Sequence, residues 1–246
     1  FVTEMISVCI ATYNGEAFIH AQLESILSQL HDDDEIIISD DGSTDNTLCI
    51  IRQYQDSRIH VISHHKFKEK AVSVWDKMTC VRENFEEALK YAKGDVIFIS
   101  DQDDVWLPNK VQSVLDSMSI ETSCIVHDCK IVNNDLHVIN NSMFQIYSPC
   151  FNRWGWLWKS PFMGCCMAIR REVIQRALPI PINVEYDTWL GIVASKMGTL
   201  KVIHEPLILY RRHGNNISTC SQKSNNNLLT KLQRRYFVIK NLVKLW

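Results

Sequence analysis

The chain has 246 residues, of which 46% are hydrophobic and 22% are charged, and its formal net charge at pH 7 is −2. This composition is typical of a globular protein and excludes a disordered chain, while the near-neutral charge provides no general attraction to nucleic acid. No run of eighteen apolar residues occurs, and the first residues lack a basic stretch followed by an apolar one. We therefore expect a cytoplasmic protein without a membrane-spanning helix.

The nine cysteines are an odd number and include no Cys-x-x-Cys pair. Several lie in apolar runs, and Cys165 and Cys166 are adjacent, which favours buried reduced thiols over a disulfide framework or a zinc site. This pattern indicates a reducing compartment.

The first half of the chain alternates predicted strands with predicted helices. The strands are short apolar runs rich in β-branched residues, and in the helices apolar residues recur at helical spacing. The predicted strands cover residues 5–11, 35–39, 58–63 and 96–99. The predicted helices cover residues 17–30, a segment capped by Ser43 or Thr44 that ends near residue 55, and residues 84–93. This alternation predicts a mainly parallel sheet with right-handed crossovers, as in a nucleotide-binding α/β unit.

The second half is predicted to add further strands and helices. The strands cover residues 124–132, 162–169 and 200–210. One helix begins near residue 108, and two further helices cover residues 171–177 and 186–196. Residues 144–160 are aperiodic, so we expect a loop that either presents Trp154, Trp156 and Trp158 to a ligand or buries them. Residues 64–70 are polar with a single aromatic, which favours a loop over a nucleic-acid-binding patch.

Residues 228–246 are predicted to form a basic amphipathic helix. Its apolar stripe consists of Leu232, Tyr236, Ile239 and Val243. Such a helix either makes peripheral contact with an anionic membrane or packs on its own domain or on a partner.

The predicted strand at 96–99 ends in three carboxylates within four residues, Asp101, Asp103 and Asp104. Like charges this close repel one another, and we expect no cationic side chain from nearby in the sequence to pair with them, so a bound cation is the expected compensation. Carboxylates at the carboxyl end of a strand suit Mg²⁺ or Mn²⁺, which often bridge them to substrate phosphates. The alternative is a solvated acidic turn that caps the next helix.

Five segments together closely resemble family 2 glycosyltransferases of the GT-A fold. They are residues 12–14, 40–43, 101–104, 186–190 and 212–216. The pattern is similar to the bacterial rhamnosyltransferase-like branch, and the resemblance extends over residues 5–218. It implies one GT-A domain over residues 1–218, with a nucleotide-binding half (1–105) and an acceptor-binding half (106–218), followed by a C-terminal extension (219–246).

For the donor, the resemblance implies that Thr12, Tyr13 and Asn14 border the nucleotide. It also implies that Asp41 hydrogen-bonds the base and that Asp101 lies near the ribose. A carboxylate is a suitable acceptor for the imide N–H of uracil or thymine, a donor that cytosine and adenine lack. The resemblance to the family favours a UDP- or dTDP-sugar over a GDP-sugar.

For the diphosphate, the resemblance implies that Asp103 holds the Mn²⁺ or Mg²⁺ ion. Asp104 then either supports the ion or caps the next helix. Arg212 or Arg211 would add positive charge at the diphosphate, and His213 would be a further metal ligand. The alternative is a surface arginine pair and a hydrogen-bonded histidine at a strand end.

Asp187 matches the family's general base, which removes a proton from the acceptor hydroxyl. One base suffices, because direct displacement with inversion needs no covalent intermediate. The family often has histidine before this residue and an aromatic after it, whereas this chain has Tyr186 and Thr188. The family's contacts with the acceptor therefore cannot be assigned to residues of this chain.

The resemblance implies transfer of a hexosyl or rhamnosyl group to a glycan or lipid-linked oligosaccharide in bacterial surface polysaccharide synthesis, in the cytoplasm or peripherally at the inner face of the membrane. The alternative is a catalytically silent nucleotide-sugar-binding protein or a membrane-docked partner protein. A haloacid-type phosphatase is excluded, because Ser39 occupies the position of the nucleophilic aspartate of that class. A sugar-nucleotide pyrophosphorylase would need a glycine-rich basic loop after the first strand, which the sequence lacks.

Overall fold

A computed structural model of the chain describes residues 4–63, 74–151, 155, 159–213 and 228–245. The first elements are β1 (Ile6–Thr12), α1 (Ile19–Leu27), β2 (Glu35–Asp40), α2 (Thr47–Gln53), β3 (Ile59–Ser63), α3 (Val74–Tyr91), β4 (Val96–Asp101), β5 (Val105–Trp106) and α4 (Lys110–Ser117). They are followed by β6 (Thr122–Val132), β7 (Val138–Asn140), α5 (Met143–Tyr147), a 3₁₀ turn (Gly164–Cys166), β8 (Met167–Arg170), α6 (Arg171–Ala177), α7 (Tyr186–Met197), β9 (Thr199–Arg211) and α8 (Leu228–Leu245).

One sheet runs through the described part of the chain in the order β3-β2-β1-β4-β8-β6-β9-β5, with β7 paired to β6. The strands β3, β2, β1 and β4 are parallel to one another, and β6 is parallel to β9. Between these two groups β8 runs antiparallel to both β4 and β6. The expected α/β class, with a largely parallel central sheet flanked by helices, is confirmed.

Apolar layers cover both faces of the sheet. Along β1 the side chains of Ile6, Val8 and Ile10 enter one cluster with α1 and α4, while Cys9 enters the other with α3, α6 and α7. Strands buried on both faces read as continuous apolar runs, which is why the sequence predicted them well. In the described part of the chain, no helix is both long enough and apolar enough to cross a membrane.

The structure corrects several predicted elements. The predicted strand at 162–169 is wrong over its first half, since a 3₁₀ turn precedes β8. The turn brings Gly164 so close to Tyr186 that an added Cβ would lie 2.1 Å from the tyrosine hydroxyl. Neither Ser43 nor Thr44 caps α2, because its N-cap residue is Asn46. The predicted loop at 144–160 begins inside α5, and Trp154, Trp156 and Trp158 lie outside the described residues, as does the predicted loop at 64–70.

Gly94 allows the turn between α3 and β4 to lie directly on β1. Its N–H donates to Ser7 Oγ at 2.7 Å, and the next N–H, of Asp95, donates to the Met5 carbonyl at 2.7 Å. An added Cβ would lie 2.4 Å from the Ser7 backbone nitrogen and 2.8 Å from the Met5 carbonyl oxygen. Backbone atoms of a central strand cannot move aside cheaply, so the position requires glycine.

We predict that Gly94→Ala lowers the free energy of unfolding by about 1–3 kcal/mol through overpacking against β1. The measurement is urea unfolding followed by circular dichroism. Lys93→Ala, at the exposed neighbouring position, is the control and should change stability by less than about 0.5 kcal/mol. Equal stability of the two variants would show that β1 yields to the methyl group.

Candidate active site

The carboxyl ends of three neighbouring parallel strands meet at one edge of the sheet. Thr12 at the end of β1 pairs with Asp40 on β2, and Ala11 pairs with Asp101 on β4. Ligands of open α/β sheets bind outside such strand ends. The loops predicted to border a nucleotide are therefore brought together by strand register alone.

Asp40 holds the β2 loop in place. Its buried carboxylate accepts hydrogen bonds from Thr12 Oγ1 at 2.8 Å, from the Ser43 N–H at 2.8 Å and from Ser43 Oγ at 2.6 Å. The N–H of Gly42, whose φ of 80° suits glycine, donates to the same carboxylate at 3.1 Å. Asp41 follows as a half-buried residue whose N–H donates to the Thr12 carbonyl at 3.0 Å. The structure thus assigns Asp40 to the turn and places Asp41 directly beyond the strand end.

Gln102 links the β4 loop to the β1 loop, a role that the sequence analysis missed. Its Oε1 accepts from the Tyr13 N–H at 2.9 Å, and its Nε2 donates to the Tyr13 carbonyl at 3.1 Å. Asn14 Oδ1 accepts from the Thr44 N–H at 2.8 Å, which joins the β1 and β2 loops. Of the three predicted nucleotide neighbours, the Thr12 side chain is buried in this network, whereas Tyr13 and Asn14 are exposed.

The acidic cluster at the end of β4 has unequal members. Asp101 and Asp103 are half-buried, whereas Asp104 is fully buried. Burial, reinforced by the charge of Asp103, raises the pKa of Asp101 to about 7. Burial also raises the pKa of Asp104 well above its usual range. Asp104 Oδ1 accepts from the Arg211 N–H at 3.0 Å, while its buried Oδ2 has no hydrogen-bond partner among the described residues.

A buried cation compensates part of this charge, contrary to the sequence prediction. Lys110, at the start of α4, is fully buried, and its Nζ donates to the Cys165 carbonyl at 2.9 Å. The same Nζ lies 4.0 Å from the ring centroid of Trp106. Burial lowers the pKa of Lys110 to about 8, although Asp104 and Asp101 attract its charge. In the sequence, the signal for this buried lysine was its position directly before the apolar stripe of α4.

The end of β9 approaches the cluster from the other side. His213 Nε2 lies 2.6 Å from Asp103 Oδ2, and its ring stacks on Phe18 with centroids 4.6 Å apart. Arg211 is buried, and its Nε donates to the Asp103 carbonyl at 2.8 Å. Arg212 is half-buried, and its N–H donates to the Val132 carbonyl at 2.8 Å. The predicted metal ligands Asp103 and His213 are thus in contact. Arg211 binds the backbone of Asp103, and contact of Arg212 with a diphosphate stays a prediction.

These donors fit a hard divalent cation. Ligand atoms of Asp101, Asp104 and Cys165 lie within 4.8 Å of one another, and the unpartnered Asp104 oxygen is a buried acceptor that needs a positive neighbour. The pKa of the Cys165 thiol is raised well above its usual value, first by its hydrogen bond to Cys166, so the thiol is a poor ligand. Lys110 places one positive charge on the Asp101 and Asp104 side. Beside this cluster Asp103 and His213 offer a carboxylate oxygen and an imidazole nitrogen, and their role as ligands of Mg²⁺ or Mn²⁺ stays a prediction.

Asp187 lies in the first turn of α7, as predicted. Its Oδ1 accepts from the Thr188 N–H at 2.6 Å. Burial, together with the charge of Glu185, raises the pKa of Asp187 to about 7, and the charge of Asp101 contributes to the same shift. The preceding Tyr186 stacks on Phe85 with centroids 4.4 Å apart, which fixes the start of α7.

Known proteins share this sequence pattern. A family model described as "Glycosyl transferase family 2" matches residues 7–75 and 79–178. The chain is 30% identical to the Escherichia coli UDP-Glc:alpha-D-GlcNAc-diphosphoundecaprenol beta-1,3-glucosyltransferase WfaP over 97% of this chain and 87% of that protein. It is 28% identical to the Shigella flexneri dTDP-rhamnosyl transferase RfbG over 84% of this chain and 72% of that protein.

Solved structures share the fold. The crystal structure of S. aureus TarS 1-349 in complex with UDP-GlcNAc gives a TM-score of 0.70 at 17% identity, covering 96% of this chain and 67% of that one. The mannosyltransferase PcManGT from Pyrobaculum calidifontis in complex with GDP-Man and Mn²⁺ gives a TM-score of 0.61 at 16% identity. The match covers 98% of this chain and 64% of that one. The chain spans 60% of another TarS 1-349 structure. The expected GT-A fold is confirmed.

We predict that Lys110→Met lowers the free energy of unfolding by about 1–3 kcal/mol, because it removes the charge that attracts buried Asp104 and leaves the Cys165 carbonyl without its donor while nearly conserving side-chain volume. Chemical denaturation measures the effect. Lys196→Met, at an exposed position of α7, is the control and should change stability by less than about 0.5 kcal/mol. A loss no larger than that of the control would contradict the role of Lys110 as a counterion.

Proposed function

The chain belongs to glycosyl transferase family 2, and from that membership we propose that it transfers a hexosyl or rhamnosyl group from a UDP- or dTDP-sugar to a hydroxyl group of a glycan or lipid-linked oligosaccharide. The observation that carries this proposal is the meeting of the ends of β1, β2 and β4 at one sheet edge, where the end of β9 brings His213 to Asp103. The charge of Asp101 at this edge also contributes to the raised pKa of Asp187.

The donor proposal rests on Asp41 and on the relatives. One relative is named for UDP-Glc and another for a dTDP-rhamnosyl donor, so both use pyrimidine nucleotides with an imide N–H. A carboxylate at Asp41 is a suitable acceptor for that N–H. Tyr13 and Asn14 line the nucleotide in this proposal, Thr12 supports them from below, and Arg212 adds charge at the diphosphate. Residues 1–105 of the 1–218 domain form its donor half and residues 106–218 its acceptor half.

The acceptor proposal rests on the same comparison. WfaP is named for a diphosphoundecaprenol-linked acceptor, which is a lipid. We therefore place the reaction at the cytoplasmic face of a bacterial membrane, in surface polysaccharide synthesis.

The proposed mechanism is inverting displacement at the anomeric carbon. A divalent ion held by Asp103 and His213 would neutralise the charge that develops on the leaving diphosphate. Asp187 accepts the acceptor's hydroxyl proton as the new glycosidic bond forms. Its raised pKa makes it a stronger base than an exposed aspartate, while the Thr188 N–H holds one carboxylate oxygen in place.

We predict that UDP or dTDP raises the melting temperature only when Mn²⁺ or Mg²⁺ is present, since a ligand of the folded state stabilises it by mass action. Thermal unfolding with a panel of nucleotides, with and without chelator, tests this. Asp103→Asn should remove most of the shift, whereas the control Asp33→Asn, in an exposed turn, should retain it. A nucleotide shift that survives chelation would overturn metal dependence.

We predict that Asp187→Asn binds the donor normally and lowers kcat by about 10²–10⁴-fold, because a general base acts only in the transition state.

Transfer by the unmodified protein should fall as the pH drops through about 7, since protonation of Asp187 removes the base. Radiolabelled sugar transfer measures both effects.

Glu172→Gln is the matched control, because Glu172 is likewise a first-turn acid, on α6. It should leave kcat and the pH profile unchanged. If Asp187→Asn retained normal transfer, another residue would be the base. A chain that binds donor but never turns it over with any acceptor would favour the silent nucleotide-sugar binder.

A further inference from the structure

Helix α8 has two apolar faces, and the domain covers only one of them. On the inner face Val238 is buried, and Phe237 and Leu242 are partly buried against the cluster that contains Phe85 and Trp189. The opposite face carries Leu232, Tyr236, Ile239 and Val243, which are 49%, 59%, 49% and 75% exposed. Domain packing therefore accounts for the inner face and leaves the outer one to something else.

The outer residues form one continuous stripe. Their spacing of four, three and four residues places them on the same side of the helix over about 16 Å. Exposed apolar side chains are ordinary when they occur singly, whereas a contiguous exposed stripe indicates an interaction surface.

The charge of the helix identifies the partner. Residues 228–245 include five lysines and arginines and no aspartate or glutamate, although the whole chain has a net charge of −2. Lys240 Nζ lies 5.7 Å from the Tyr236 ring centroid, so positive charge borders the stripe directly. A second copy of the helix would bring like charges together, whereas an anionic surface would attract them.

We propose that the outer face of α8, formed by Leu232, Tyr236, Ile239 and Val243 and flanked at helical spacing by Arg235 and Lys240, docks the protein on an anionic lipid bilayer. The helix lies in the plane of the interface, with the apolar side chains at the level of the acyl-chain boundary and the basic side chains among the headgroups. Tyr236 suits this depth, because its ring is apolar and its hydroxyl remains hydrated. Docking does not depend on which sugar is transferred.

The test is sedimentation of the full chain with vesicles, either phosphatidylglycerol mixed with phosphatidylcholine or phosphatidylcholine alone. The unmodified protein should bind the anionic vesicles more tightly, and added salt should weaken the binding. Ile239→Gln should weaken it by about tenfold through lost apolar insertion. Its matched control is Ile120→Gln, the same change at a 98% exposed position between α4 and β6, which should bind normally.

A second pair of variants tests the charge. Lys244→Gln should weaken binding to anionic vesicles by about fivefold, whereas Lys196→Gln, at an exposed position of α7, should not. Unchanged melting temperatures would show that all four variants fold, and nucleotide-induced shifts would report the sugar-donor site separately.

Three results would overturn the proposal. The first is equal binding to the two kinds of vesicle, and the second is equal binding by the Ile239→Gln and Ile120→Gln proteins. The third is dimerisation without lipid that Ile239→Gln abolishes, which would assign the stripe to a second copy of the chain.

Discussion

Negative charge concentrated at the end of β4 is the constraint on which the rest of the site depends. Asp101, Asp103 and Asp104 repel one another, and burial of Asp104 adds a desolvation cost that nearby positive groups and hydrogen-bond donors reduce. Lys110 supplies one such group from α4, and the segment with Arg211 and His213 approaches from β9. Charge compensation thereby holds α4, which follows closely in the sequence, and the end of β9, which is distant in the sequence, against the strand end.

Each adjacent pair of aspartates contains one buried member that supports the fold and one half-buried member. Asp40 accepts four hydrogen bonds from its surroundings, and Asp104 holds the Arg211 backbone. Their neighbours Asp41 and Asp103 are less buried. In each pair, then, one carboxylate is buried in the fold and the other is partly exposed. Two consecutive aspartates are therefore not redundant.

Sequence alone predicted what local patterns determine. The strands β1, β2 and β4 are buried on both faces, so their apolar runs marked them to within about two residues. Contacts between residues distant in the sequence could not be predicted. Lys110 donates a hydrogen bond to Cys165, 55 positions away, and Arg211 donates one to Asp103, 108 positions away. The apolar run at 162–169 resembled one strand, but packing of Tyr186 over Gly164 turns its first half, a tertiary effect that propensity cannot report.

The lipid-facing helix and the proposed base share one hydrophobic core. Val238 of α8 belongs to the same cluster as Trp189 and Leu190, which follow Asp187 within the first turns of α7. Close-packed cores transmit position because their side chains leave little free volume. A bilayer that orients α8 therefore also orients α7, so an acceptor anchored in that bilayer would meet Asp187 from a restricted set of directions. Selectivity for a lipid-linked hydroxyl can then arise from how the enzyme lies on the membrane as well as from contacts to the sugar.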